Sequence, residues 1–77
     1  MAKFPSRSSR QIQDLLSSHG FAFKEQARHG EAWARELPGR PVIVPRNRRA
    51  IPGGTVQAIL REAGITRAQA FAFWGIH

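Results

Sequence analysis

The feature that most restricts this chain is the run Val56, Ile59, Leu60, Ala63, followed at once by Gly64-Ile65. Apolar residues at i, i+3, i+4 and i+7 define one stripe of an amphipathic helix, and Gly64 ends it by supplying the left-handed conformation of a helix C-terminus. Ile65 stands where an apolar contact back onto the last turn usually accompanies such a stop. A one-faced helix needs a layer to cover that face. The rest of the chain must provide it, and in 77 residues there is room for one domain, residues 1–77.

Three short segments fit that layer. Phe21, Phe23 and Glu25 alternate with Ala22, Lys24 and Gln26, the period of two expected of a strand. A second strand is expected over about Glu31 to Arg35, with Trp33 as its large core residue. Leu37-Pro38-Gly39-Arg40 reads as a type II turn leading into the apolar strand Val42-Ile43-Val44. The three strands read as an antiparallel meander. Ahead of them, Ser8-Ser9-Arg10-Gln11 is a capping box opening a helix from about Ser9 to His19, with Ile12, Leu15 and Leu16 on its apolar side and Gly20 as its stop. The helix carrying Val56 is expected to open at Thr55, and Thr66-Arg67-Ala68-Gln69 is a second capping box for a short final helix bearing Phe71 and Trp74. The expected fold is therefore α+β: helix, three-stranded antiparallel sheet, helix, short C-terminal helix, with both long helices on one sheet face.

Charge narrows the partners. Twelve Lys and Arg against five Asp and Glu give a net +7, and eleven of the bases are spread from Arg7 to Arg67, as on a folded surface rather than in a tail. Such a surface suits nucleic acid, where cations displace the phosphate counterion atmosphere and arginine grips phosphate with two N–H groups. An acidic protein surface is the other partner class this charge allows. The absence of Cys excludes disulfides and thiolate metal sites. His19, His29 and His77 lack a spacing that converges on a metal, so no metal or other cofactor is expected. No apolar run is long enough to span a bilayer and the first residues lack a signal-peptide core, which points to a cytoplasmic protein.

The segment Ile51-Pro52-Gly53-Gly54-Thr55-Val56-Gln57-Ala58-Ile59-Leu60-Arg61-Glu62-Ala63-Gly64-Ile65-Thr66 resembles the signature of HicA-type toxins, small bacterial mRNA interferases. The Gly20-Phe21 helix exit, Pro38-Gly39-Arg40 and Val42-Ile43-Val44-Pro45 follow the same family's order, so the resemblance covers about Ser9 to Phe71. It implies a fold like that of double-stranded RNA-binding domains, metal-free cleavage of mRNA and neutralisation by a HicB-type antitoxin, and a homo-oligomer is allowed only within a toxin-antitoxin complex. It also implies a catalytic histidine at the start of the second strand. This chain departs from the pattern there. Counting back from Val44-Pro45 without gaps puts that position on Glu31, aligning Trp33 with the family aromatic puts it on Gly30, and a two-residue shift from the first register puts it on His29.

Metal-free RNA cleavage uses the neighbouring 2′-hydroxyl as nucleophile, so a protein must move protons and hold a phosphorane-like charge. His29 is the first candidate for the proton, with Glu31 orienting it from the same strand face. Glu31 as the sole acid-base group is the alternative. Lys24, Arg28 and Arg46 are the nearest candidate phosphate contacts, and the loop Arg46-Asn47-Arg48-Arg49 adds two guanidinium groups able to track an RNA backbone. Gly53-Gly54-Thr55 lacks the length and the Lys of a P-loop and reads as a helix start. A HicA-like module that binds RNA or antitoxin without catalysis is the competing reading. Phe71, Phe73, Trp74 and Ile76 are too many large apolar groups for a frayed end; some must pack on the core, the others serving as a partner site.

Overall fold

The first and last helices begin on the capping boxes the sequence carries, and the first two end where it places a glycine stop. In the computed structural model, which describes residues 4–35 and 40–76, helix α1 spans Ser9–Ser18 and opens on the expected capping box. The Ser8 hydroxyl accepts the Gln11 amide at 3.1 Å, and Gln11 Oε1 accepts the Ser8 amide at 2.9 Å. At the other end the Phe21 amide donates to Leu16 O at 3.0 Å, which turns Phe21 back into the core. Helix α3, Arg67–Trp74, repeats the box with Thr66 and Gln69.

Helix α2 runs Gly53–Ala63, two residues longer at its start than the sequence suggests. The Val56 amide donates to Pro52 O at 3.0 Å, so Gly53 and Gly54 already belong to the first turn and no side chain of Thr55 is needed to open it. Gly53 lies against the carbonyl of Phe4, where any Cβ would collide with that oxygen. At the far end the Ile65 amide bonds Leu60 O at 3.0 Å and Ile65 is buried, the contact expected of that stop.

Strands β1 (Ala22–Ala27), β2 (Gly30–Ala34) and β3 (Val42–Val44) pair antiparallel in the order β1-β2-β3. The turn expected over Leu37 to Arg40 lies largely outside the described residues. Val42 and Val44 are buried and join Ile12, Leu15, Leu16, Val56, Ile59 and Leu60 in one core, whereas Ile43, pointing the other way, is 37% exposed. Both long helices therefore cover the Val42/Val44 face. Glu31 and Trp33 pair with Val44 and Val42, which sets them on that face too.

One expectation needs correction. Phe21, Phe23 and Glu25 do not share a face through β1, because Lys24 has no partner in the ladder and forms a bulge. The bulge shifts the phase: Phe23 pairs with Trp33 and Gln26 with Glu31, so Phe23 and Gln26 look to the helix side and Glu25 to the other. The amino-terminal segment also has a defined place. Arg7 bridges Ile51 through both backbone hydrogen bonds, and Phe4 meets Phe71 edge-on at 5.3 Å. Phe71 and Trp74 pack against the core as expected of part of the last helix, and Phe73 stays 47% exposed.

Candidate functional site

The loop that leaves β3 is fastened to the start of α1 by one buried polar side chain. Ser9 Oγ donates to Pro45 O at 2.5 Å and accepts the Arg48 amide at 2.9 Å, while the Ser9 amide donates to Arg48 O at 2.9 Å. Asn47 takes a positive φ of 51° at the tip, a conformation Asn tolerates better than most residues. The result is a loop bonded to the helix start at three points. It lays Arg48 and Arg49 beside Arg10 and Gln13 of α1, and these residues with Ser8, Ser9, Asn47 and Glu31 line an open groove of about 460 Å³.

Ser9→Ala would strip partners from the Arg48 amide and the Pro45 carbonyl in a partly buried place, at a cost of about 1 kcal/mol. The expected result is a lower melting temperature together with faster amide exchange at Arg48. Unchanged values for both would mean that this hydroxyl does not hold the loop.

Glu31 is the carboxylate of the groove. It is half-buried, and its Oε1 accepts from Gln13 Nε2 at 2.9 Å and from Trp33 Nε1 at 3.3 Å, which leaves Oε2 without a protein donor among the described residues. Arg10, Arg48 and Arg49 line the same groove, yet none forms an ion pair with it. Among the described residues the ion pair found is the exposed Arg10–Asp14 contact at 4.0 Å, a geometry that adds little to stability. The guanidinium groups of Arg48 and Arg49 thus face solvent without an acidic partner among the described residues.

The other candidates do not line this groove. Arg28 and His29 form the two-residue turn joining β1 to β2; both are exposed, and the His29 side chain makes no hydrogen bond or ion pair among the described residues. Glu31 is bonded to Gln13 and Trp33 and not to His29, so the structure does not bring that expected pair together through a hydrogen bond. Gly30, the third register for the family histidine, has a φ of 156° and is packed so closely on β3 that a Cβ would collide with the Val44 carbonyl. No side chain fits there. Lys24 is exposed on the bulge, and Arg46 donates to Gln26 Oε1 next to Glu31 in the ladder.

Arg10 and Gln13 are functional candidates that sequence reasoning does not single out. Their i, i+3 spacing on the polar side of α1 is the available signal, but its meaning depends on α1 meeting the β3 exit, a tertiary fact. Among the described residues no group of three or more His, Cys, Asp or Glu could hold a metal, and no helix is long and apolar enough to cross a membrane.

Together these observations define a small, strongly basic α+β domain with a cationic groove between the start of its first helix and the exit of its last strand. The chain matches the family model described as the HicA toxin of bacterial toxin-antitoxin over residues 9–65, well over half its length, and belongs to that family. An antitoxin partner follows from the membership. The match runs from the first residue of α1 to the stop of α2 and so includes Arg10, Gln13, Glu31, Arg48 and Arg49. No curated protein and no solved structure matches the chain.

Proposed function

We propose that this toxin binds RNA in the cytoplasm and cleaves mRNA without a metal, inhibiting translation and growth until a HicB-type antitoxin covers it. The observation that carries the reading is Glu31, held through Oε1 by Gln13 and Trp33, with no protein donor to Oε2 among the described residues, lining one groove together with Arg10, Arg48 and Arg49. A phosphate held by the guanidinium groups would bring a ribose 2′-hydroxyl to this carboxylate. Oε2 takes the hydroxyl proton, the 2′-oxygen attacks phosphorus, and the 5′-oxygen leaves with a proton from solvent. The arginines stabilise the charge that builds on the phosphorane. The products are a 2′,3′-cyclic phosphate and a 5′-hydroxyl.

Glu31 is also the residue reached by the ungapped count from Val44-Pro45, and it pairs with Val44 across the ladder. His29 supports the second reading: it is exposed, unbonded among the described residues and two residues away, able to serve as the proton acceptor in its place. Lys24 and Arg28 on the hairpin and Arg46 after β3 are exposed and are the further candidate phosphate contacts.

The binding half of the proposal is tested with Arg48→Glu combined with Arg49→Glu. RNA affinity should fall strongly and to the same degree for unrelated sequences, as binding through phosphates requires. The slope of log affinity against log salt should shrink by roughly one for each phosphate the variant no longer neutralises. Unchanged affinity at low salt would remove the loop from the RNA path.

A further inference from the structure

We propose that Phe23 is a stacking platform for an unpaired base of single-stranded RNA, next to the groove that holds the phosphates; this rests on the RNA reading above. Phe23 pairs with Trp33 and so lies on the helix side of the sheet, but β1 lies beyond the helices and has no buried residue. Phe23 is therefore 45% exposed on the side where the core should have covered it. Its ring meets Trp33 edge-on, centroids 6.2 Å apart at 75°, a contact that uses at most one of its two faces.

Three connections tie this ring to the candidate site. Trp33 packs against the core and donates its indole N–H to Glu31 Oε1 at 3.3 Å, so the residue behind Phe23 is fixed and bonded to the groove carboxylate. Gln26, on the same face of β1, holds the guanidinium of Arg46. The exposed Lys24 flanks the ring along the strand. An exposed aromatic face bordered by cations is the arrangement with which proteins bind single strands, the base stacking and the backbone meeting the charges. Phe73 and Ile43 are exposed as well, yet among the described residues neither is joined to the candidate site by a ring contact.

The test uses the full chain and two short 2′-O-methyl RNAs that resist cleavage, one with normal bases and one abasic along the same backbone. Wild type should bind the first roughly tenfold or more tightly than the second, the scale of one stacked base. Phe23→Ala and Phe23→Leu should lose that preference and keep the salt slope, while Phe23→Tyr should retain it; circular dichroism verifies that each variant is folded. Phe23→Leu binding as wild type does would overturn the platform. So would a Phe23→Ala variant that keeps its preference for bases but loses affinity for the antitoxin, which would place Phe23 in a protein interface. A wild type that binds neither oligonucleotide with salt sensitivity would instead defeat the RNA reading itself.

Discussion

Glu31→Gln is expected to slow RNA cleavage by roughly a hundred- to ten-thousandfold, the usual contribution of a positioned acid-base group, while RNA binding is kept or strengthened. The split follows from the geometry. A Gln at this position retains a carbonyl oxygen for Gln13 Nε2 and Trp33 Nε1, so the local packing survives. It cannot take up the 2′-hydroxyl proton, and it removes a negative charge from the groove proposed to hold phosphate beside Arg10, Arg48 and Arg49. His29→Ala should leave both rate and affinity close to wild type, because that side chain stands in an exposed turn without a bonded partner among the described residues. The reverse pattern, cleavage abolished in His29→Ala and kept in Glu31→Gln, would transfer the proton to His29 and restore the expectation drawn from the family pattern. Single-turnover rates with a defined transcript separate the two.

Gly30→Ala is expected to destabilise the whole domain, and Gly54→Ala to stabilise it. The same methyl group is added in both. At Gly30 it meets the Val44 carbonyl on a backbone with φ 156°, so either β2 or β3 must move. The conformation alone costs about 1–3 kcal/mol, a large share of the roughly 5 kcal/mol at the lower end of domain stabilities. At Gly54, in the first turn of α2, nothing lies within 4 Å of the new Cβ. There the gain in helix propensity is up to about 1 kcal/mol. Thermal melts should shift in opposite directions; a Gly30→Ala protein as stable as wild type would show that β2 and β3 do not approach as described.

Local signals made the elements legible. Capping boxes at Ser8 and Thr66, the stop at Gly64 and the stripe Val56-Ile59-Leu60-Ala63 each act within a few helical turns, and each appears in the structure where the sequence places it. The bulge at Lys24 had no such signal. It arises from how β1 meets β2, and with it the phase of Phe23 and Gln26 was hidden. The groove was half legible for the same reason. Arg48, Arg49 and Glu31 stand out by charge and by the family register, but Arg10, Gln13 and the buried Ser9 gain their roles only when α1 docks on the β3 exit. A serine inside a capping box reads as a helix start. That it also fastens a loop 39 residues away cannot be read from its neighbours.

The most direct measurement is to incubate the purified wild-type chain with a defined transcript in EDTA and determine the ends of the fragments by mass spectrometry. A toxin that cleaves through the ribose 2′-hydroxyl gives fragments ending in 2′,3′-cyclic phosphate and beginning with 5′-hydroxyl, and adding the antitoxin suppresses them. A chain that binds the transcript with salt-sensitive affinity and leaves it intact would contradict the catalytic reading.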